Sequence, residues 1–370
     1  MTHAATSIDA LFQTARLGPT TLPNRVAVAP MTRVSGDPDG SANDRNAAYY
    51  EVFAHGGFGL VITEGLYPDT AHSQGYLNQP GLATETHARS WTPVVDRVHK
   101  AGAKMFAQLM HAGAQSQGNR YTDTSVAPST VPPRGEQLGF YGGTGSYPTP
   151  RALTASDIAD VRSGFTRAAR NAVRAGFDGV EIHGANGYLL DQFLTDYMNQ
   201  RDDVYGGSVE NRVRIFREVI AETREEVGSE ITIGVRISQS KVSDYLHRWS
   251  GGESDAAVIF TALAEAGVDY IHTTEFDATA AAFPDSDRTL ASLAVEHSKL
   301  PVIANGQLGD PATAASMVER GTADVVALGK PALANRDWVR RAQQAQTIET
   351  EVDDSVFNPM ATVKDWEVSR

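Results

Sequence analysis

The stretch PVIANGQLGDPATAASMVERGTADVVAL, residues 301–328, contains one complete strand-helix-strand unit. Two short apolar runs, PVIAN at 301–305 and DVVAL at 324–328, flank an amphipathic segment over 311–320. Short apolar runs rich in β-branched residues are typical of strands buried on both faces, as in parallel sheets. The stretch therefore predicts two parallel strands joined by a helix.

Six further runs of the same kind precede it. They lie at 25–30, 58–64, 104–110, 178–183, 231–237 and 269–274. Helical patterns alternate with the eight runs, at about 43–56, 86–101, 155–175, 209–227, 253–266, 288–298, 311–320 and 331–345. Thr154 is a candidate N-cap of the third helix, and Gly176 and Gly267 follow the third and fifth. Eight alternating pairs predict a single (β/α)8 TIM barrel of the α/β class.

The composition narrows the function. Lys and Arg number 32 against 45 Asp and Glu, a net charge of −13, which argues against a nucleic-acid surface. Because the chain has no cysteine, redox chemistry requires a bound organic cofactor or a His/carboxylate metal site. The histidines show no metal-ligand spacing, so we expect no metal. Residues 1–10 lack the charged and apolar regions of a signal peptide. We expect a cytoplasmic protein with small-molecule substrates and no membrane partner.

The runs also predict the domain organisation. Residues 1–345 should form the barrel, and residues 346–370 a polar tail packed on the barrel or on a partner subunit of a homo-oligomer. Two segments are too long for ordinary loops, 111–151 after the third strand and 241–252 after the fifth. Since loops that follow barrel strands lie on the catalytic face, both are predicted to form lids or pocket walls.

Polar residues at the predicted strand ends suggest the chemistry. Asn305-Gly306 and Gly329-Lys330 follow the last two strands, where barrels commonly bind phosphate, although both glycines could simply form tight turns. After the fourth strand, His183 and Asn186 can donate hydrogen bonds to one acceptor, and Tyr188 supplies a phenol that is protonated at pH 7. Two donors and an acid are suited to reducing a polarised alkene.

The strand-four segment HGANGYLLDQFL at 183–194 is followed by NQRDDVYGGSVENR at 199–212. Shorter blocks occur in the same order along the chain: APMTR at 29–33, ITEG at 62–65, QLMHAG at 108–113 and GKPALAN at 329–335. Together these blocks resemble the old yellow enzyme family of FMN-dependent ene-reductases, whose members use NAD(P)H.

The resemblance implies roles for individual residues. His183 and Asn186 would bind the electron-withdrawing group of an activated alkene, and Tyr188 would protonate its α-carbon. The FMN-binding residues would be Pro30, Met31, Thr32, Gly65, Gln108, Arg236, Asn305, Gly306, Gly329 and Lys330. Arg236 would lie near flavin N1, where reduced flavin is negatively charged.

Several further positions are candidates for the substrate pocket or depart from the family pattern. Tyr76 is a candidate substrate contact, and Lys241, Tyr245 and Phe357 could also line the mouth of the pocket. Lys330 stands where Arg is usual, Met110 where some members carry Trp, and Ala114 where Arg is common. These three residues could change FMN affinity or pocket width. Thr32, rather than Cys, excludes the subgroup with a redox-sensing cysteine.

Two alternatives remain open. One is a flavin-free, phosphate-binding aldolase or isomerase that uses His183 and Glu64 as acid and base, although it gives Gln108 and Arg236 no role. The other is a flavin-binding protein with a sensing or storage role. No G-x-G-x-x-G motif occurs, so a nicotinamide would have to use the same face of the flavin as the substrate, which predicts ping-pong kinetics.

Replacement of Tyr188 by Phe tests the role of the phenol. Because the hydroxyl is needed only for protonation, Tyr188→Phe should leave flavin reduction by NAD(P)H unchanged and slow reoxidation by alkenes, most for poorly activated ones. Anaerobic stopped-flow measures the two half-reactions separately. Reoxidation at the wild-type rate by a poorly activated enone would show that the proton comes from elsewhere.

Overall fold

Eight parallel strands, numbered here β1 to β8, close into a barrel in a computed structural model that describes residues 7–369. Each strand pairs with the next along the chain, and β8 pairs with β1 through Val326 opposite Val26. The strands are Val26–Val28, Leu60–Ile62, Lys104–Leu109, Gly179–Asn186, Thr232–Lys241, Tyr270–Thr274, Val302–Asn305 and Val325–Leu328. The predicted TIM barrel is therefore confirmed, with each strand inside its predicted run or extending beyond its end.

Eight main helices, α1 to α8, surround the strands. They are Asp44–His55, Glu85–Lys100, Ala155–Ala175, Arg214–Val227, Glu253–Glu265, Leu290–Ser298, Pro311–Glu319 and Trp338–Gln343. The predicted start of α3 is confirmed, because the Thr154 hydroxyl accepts from the Asp157 N–H while the Asp157 carboxylate accepts from the Thr154 N–H. Gly176 ends α3 in the left-handed conformation at φ 94°.

Two predicted helices are interrupted. The pattern over 209–227 forms a short helix, Val209–Arg212, and then α4, with Val213 between them. The pattern over 331–345 forms Lys330–Ala334 and then α8. At the second break the Asn335 side chain donates to the carbonyl of Glu349 and accepts from its N–H, bonds that link the break to the start of the tail.

An antiparallel hairpin, Ala15–Leu17 with Thr20–Leu22, lies at the amino-terminal end of the barrel. Leu17 and Leu22 are fully buried and belong to one apolar cluster with barrel-interior side chains such as Phe106 and Ile303. The hairpin therefore closes this end, and the barrel interior is accessible from the carboxyl ends of the strands.

The segment over 111–151 folds back onto that carboxyl end. Val126–Ala127 pairs in parallel with Arg151–Ala152, which closes the later part of the excursion, from 127 to 151, into a loop. Between them, the Tyr141 hydroxyl donates to the Thr32 carbonyl at 3.1 Å. The excursion is thus fixed to the loop that follows β1.

The tail contacts the same loop. Arg33, with 0% of its surface exposed, donates to both carboxylate oxygens of Glu367 at 2.7 and 2.6 Å, and Glu367 is also fully buried. Arg33 also donates to the carbonyls of Ala361 and Thr362. The tail is therefore bound to the barrel by a bidentate ion pair that is excluded from water.

Residues 1–6 and 370 lie outside the described part of the chain, and with them most of the segment in which a signal peptide was sought. Within residues 7–369, no helix combines the length and apolar character required to cross a bilayer.

Replacement of Glu367 by Gln tests the buried pair. Because Arg33 would keep a buried charge without its bidentate ion-pair partner, Glu367→Gln should lower the free energy of unfolding by roughly 3 to 5 kcal/mol. Urea denaturation of the holoprotein measures this difference. Asp365→Asn is the matched control, since the nearby Arg45–Asp365 pair is exposed and should contribute far less. Equal effects of the two substitutions would contradict a stabilising role for the buried pair.

Candidate active site

A cavity of about 320 Å³ opens at the carboxyl ends of the strands. Its walls contain all three predicted catalytic residues and every predicted FMN-binding residue except Gly306: Pro30, Met31, Thr32, Gly65, Gln108, His183, Asn186, Tyr188, Arg236, Asn305, Gly329 and Lys330. A second cavity of about 790 Å³ shares Asn305, Gly329 and Lys330 with the first. The two adjoining spaces fall in the size range of small-molecule and cofactor sites.

The turn after β4 presents Asn186 to the cavity. Asn186 and Gly187 adopt positive φ values of 61° and 86°, a region that Asn tolerates and Gly favours. The Asn186 N–H donates to the Ser238 hydroxyl at 2.8 Å, and its carbonyl accepts from the Gln115 side chain at 3.0 Å. With its backbone held in this way, the Asn186 carboxamide has no hydrogen-bond partner among residues 7–369 and is available to a ligand.

A buried ion pair lies directly behind this turn. Lys241 Nζ is 2.6 Å from Asp191 Oδ1, and the two side chains are 1% and 0% exposed. The other Asp191 oxygen accepts from the Gly187 N–H. The pair therefore joins the end of β5 to the turn that carries Asn186 and Tyr188. Lys241, expected at the pocket mouth, instead lies behind the pocket wall.

His183 lies on the cavity wall as a neutral imidazole. Burial, together with the positive charge of Arg236, lowers the pKa of His183 to about 3. Its Nδ1 has no hydrogen-bond partner in the described chain. His183 can therefore donate a hydrogen bond to a ligand at pH 7 without carrying a charge.

Tyr188 lies beside His183, with the ring centres 5.2 Å apart. Burial raises the pKa of Tyr188 to about 12, so the phenol is protonated at neutral pH. Its hydroxyl oxygen is 2.6 Å from that of Tyr76. Tyr76 is 1% exposed and stands behind Tyr188, outside the set of residues that line the cavity.

Beneath the cavity, the Glu181 carboxylate organises the barrel interior. It accepts from Gln108 Nε2 at 2.8 Å and from the Tyr270 hydroxyl at 2.9 Å, and His272 Nδ1 lies 2.8 Å away. Burial alone would raise the pKa of Glu181, but His272 and Arg236 bring it down to about 2. Because Gln108 gives its amide N–H to Glu181, its Oε1 remains as the acceptor toward the cavity.

Arg236 brings a cation into the site. It is 5% exposed and donates to the Thr274 hydroxyl at 3.1 Å and to Asn305 Oδ1 at 2.9 Å, both uncharged groups. Its Nε has no partner among the described residues, and burial lowers its pKa to about 10. A buried guanidinium with an open donor is the feature expected where an anionic ligand completes the site.

The residues after the last two strands, where phosphate binding was predicted, are only partly available to a ligand. Both polar atoms of the Asn305 side chain are already used, since Oδ1 accepts from Arg236 and Nδ2 donates to the Ala327 carbonyl. Gly306 lines neither cavity, and a Cβ on it would lie 2.4 Å from the Glu275 carbonyl oxygen. Asp310 caps α7 with its own carboxylate, which occupies the N–H of Thr313. Lys330 lines both cavities, and its ammonium makes no hydrogen bond or ion pair within residues 7–369.

Glu64 does not face the cavity. It is fully buried, and one of its carboxylate oxygens accepts from the backbone N–H groups of Arg33 and Val34. Burial raises the pKa of Glu64 to about 7. The aldolase or isomerase alternative is therefore wrong about its base, because Glu64 supports the β1 loop from behind.

The cavity also contains wall residues that were not identified individually from the sequence. They are Ala29, Arg33, Leu138, Phe140, Tyr141, Val242 and Leu333. Three of them come from the excursion over 111–151, which therefore contributes a wall. Tyr245 and Phe357, which were predicted at the mouth, also line the cavity, and Tyr245 is 65% exposed. No cluster of three or more His, Cys, Asp or Glu side chains suited to a metal ion occurs in the described part of the chain.

Comparison with known proteins places this site in a family. Residues 10–349 match the NADH:flavin oxidoreductase / NADH oxidase family. The chain belongs to this family. An old yellow enzyme homologue from Zymomonas mobilis is 29% identical and superposes with a TM-score of 0.86 over 97% of this chain and 98% of its own. The predicted membership of the old yellow enzyme family and the predicted FMN cofactor are both confirmed.

Two curated relatives differ in length. A probable flavin mononucleotide-dependent alkene reductase of Leishmania infantum is 34% identical over 92% of both chains. The NADH oxidase of Thermoanaerobacter brockii is 33% identical over 91% of this chain, but the match spans only 51% of that enzyme. The chain thus spans about half the length of the second relative and most of the first.

Two departures from the usual pattern of the old yellow enzyme family now have structural contexts. Met110 lines the cavity and packs over Gly65, where a Cβ would lie 2.6 Å from the Met110 sulfur. Ala114 is fully buried in a small cluster with Ala127 and Met198 and does not line the cavity. Met110 can therefore affect pocket width directly, and Ala114 cannot.

Replacement of Lys241 by Met tests the pair behind the catalytic turn. Burial raises the pKa of Asp191 and Lys241 lowers it, so Lys241→Met should raise this pKa further. A raised folded-state pKa stabilises the protein at low pH and loses that contribution as pH rises. Urea denaturation should therefore show a deficit in unfolding free energy relative to wild type that is largest at high pH and narrows as the pH is lowered.

The second variant Lys241→Met/Asp191→Asn is the control, because it removes the unpaired carboxylate. It should recover most of the stability at the higher pH. A deficit in Lys241→Met that does not change with pH would contradict the role of the Asp191 charge.

Proposed function

We propose that the chain is an NAD(P)H-dependent FMN ene-reductase that reduces the C=C bond of α,β-unsaturated ketones, aldehydes, imides or nitroalkenes. The observation that carries the proposal is that His183, Asn186 and Tyr188 line one cavity together with a buried Arg236, whose Nε has no partner among residues 7–369. His183 and Asn186 can hold a polarised oxygen, and Arg236 can hold an anionic ring.

The residues of the cavity suit FMN. Gln108 Oε1 is free to accept from the flavin N3–H, and Arg236 can face the N1 and O2 edge that becomes negative on reduction. Pro30, Met31, Thr32 and Gly65 would flank the ring system. Bound FMN would supply the hydride-transfer chemistry that links NAD(P)H to the β-carbon of the alkene.

Lys330 is the side chain best placed to hold the phosphate, because its ammonium is unpaired and lies between the two cavities. Backbone N–H groups at Gly329, and the predicted turn at Gly306, would supply neutral donors. Asn305 would act mainly by orienting Arg236, because its Oδ1 accepts a hydrogen bond from the guanidinium. The lysine ammonium provides a positive charge but not the bidentate hydrogen bonds of an arginine guanidinium, so it would contact the phosphate as a single point charge.

Two donors polarise the substrate. His183 and the carboxamide of Asn186 would donate to the oxygen of the electron-withdrawing group, which draws charge away from the β-carbon and favours hydride attack there. The imidazole is neutral, so it can donate this hydrogen bond without adding a charge to the site. Tyr188 then gives its phenolic proton to the α-carbon.

The proposal extends to the domain organisation, the nicotinamide that donates the hydride and the location of the protein in the cell. Residues 1–345 form the FMN-binding domain with the excursion over 111–151, and residues 346–370 are a tail, whose Arg33–Glu367 pair supports packing on the barrel of its own chain. NADH and NADPH both remain as donors and share the site with the alkene, which requires ping-pong kinetics. A cytoplasmic location, small-molecule partners only, and either a monomer or a homo-oligomer stay predictions from the sequence.

Anaerobic spectroscopy tests the proposal. The purified protein should be yellow, bleach on addition of NADH or NADPH under argon, and recover its colour when an α,β-unsaturated ketone is added. A colourless protein that FMN cannot reconstitute would overturn the proposal. Bleaching without recovery by any activated alkene would instead support a sensing or storage role.

A further inference from the structure

Tyr76 and Tyr188 form a buried pair of phenols with hydroxyl oxygens 2.6 Å apart. We propose that Tyr76 is a positioning residue for the catalytic acid: it donates its hydroxyl proton to Tyr188, directs the Tyr188 proton into the cavity, and stabilises the phenolate left after proton transfer. The inference rests on the proposed function, because it concerns the acid of that reaction.

The direction of the hydrogen bond follows from where each hydroxyl can find an acceptor. Within residues 7–369, Tyr188 is the one hydrogen-bond partner of the Tyr76 hydroxyl, and Tyr76 is 1% exposed. If Tyr188 donated to Tyr76, the Tyr76 proton would be buried with no acceptor, which is unfavourable. Tyr188 lines the cavity and can donate to a ligand there. The arrangement that satisfies both hydroxyls therefore has Tyr76 as donor.

Tyr76 is held rigidly enough to impose this direction. Gln79 Oε1 accepts from the backbone N–H groups of Gly75 and Tyr76, and Gln79 Nε2 donates to the Gly65 carbonyl. The Tyr76 ring packs against Tyr141 with ring centres 4.4 Å apart. Tyr141 cannot replace Tyr76 as the donor, because its own hydroxyl donates to the Thr32 carbonyl.

The apolar surroundings make this hydrogen bond important. Both rings belong to one buried cluster with Val34, Met110 and Ala112. In such a setting a phenolate lacks water on its inner side, so a fixed O–H donor replaces part of that solvation. A hydrogen bond to a charged group is roughly twice as strong as one between neutral groups. The bond therefore gains strength as the Tyr188 proton departs.

The proton balance is simple. The Tyr188 O–H bond breaks as a C–H bond forms at the α-carbon, and the electron pair of the O–H bond stays on Tyr188 as phenolate. Tyr76 keeps its own proton throughout, since no second described residue could return one to it. Tyr188 regains a proton from solvent through the open cavity before the next turnover.

Tyr76→Phe in the FMN-loaded protein tests the inference, and Tyr147→Phe is the matched control. Tyr147 is also buried, at 5% exposure, but its hydroxyl donates to Gln117 and it does not line the cavity. Tyr76→Phe should slow reoxidation by a poorly activated enone about tenfold to a hundredfold, the effect of losing a hydrogen bond to a charged group. Flavin reduction by NADH and the affinity for a substituted phenol should be unchanged, because they depend on other residues.

A double-variant cycle separates this role from a merely structural one. Because Tyr76 acts through Tyr188, Tyr76→Phe/Tyr188→Phe should reoxidise no more slowly than Tyr188→Phe alone. The solvent isotope effect on reoxidation should also increase in Tyr76→Phe as proton transfer limits the rate more. Tyr147→Phe should match wild type in every measurement.

Three results would overturn the inference: reoxidation of Tyr76→Phe at the wild-type rate, additive losses in the double variant, or equal losses in Tyr147→Phe. Wild-type protein that NADH reduces but no alkene reoxidises would overturn the proposed function, and the inference with it. The unmutated protein reports that outcome first, so the two failures are distinguishable.

Discussion

The buried carboxylate of Glu181 determines how the polar side chains are arranged in the barrel interior beneath the cavity. Glu181 projects inward from β4, and its charge must be satisfied by donors from other strands of the barrel. Gln108 on β3 and both Tyr270 and His272 on β6 provide them. The same requirement orients the Gln108 amide so that its N–H points to Glu181. It also keeps a negative charge near Arg236, and the resulting cluster lies beneath the cavity.

The sequence predicts the barrel because its strands are buried on both faces and read as apolar runs. It predicts some strands as longer than they are: the run over 58–64 yields only Leu60–Ile62, since the flanking residues leave the ladder for loops. In contrast, β4 and β5 extend past the ends of their predicted runs. The break before α8 has no Gly or Pro to indicate it. It arises where Asn335 bonds to Glu349, a contact that exists only after the chain has folded back.

The site was predictable to the extent that it lies at strand ends, because the carboxyl ends of eight parallel strands must converge. Glu181 could also have been identified, since it precedes His183 by two residues and so shares its inward face. Side-chain direction beyond the strands was not predictable. Glu64 turns to the β1 loop, and Tyr76 stands one layer behind Tyr188. Leu138 and Phe140 reach the wall from a long excursion whose path no local pattern specifies.

The ion pair between Arg33 and Glu367 joins residues 334 positions apart in the chain. Contacts of such large sequence separation carry a high loop-closure cost and form only after intervening structure has brought their partners together. The β1 loop, which includes Thr32, therefore acquires its final support after the barrel has closed. On a ribosome, this support can form only after Glu367 has been translated, 334 residues after Arg33.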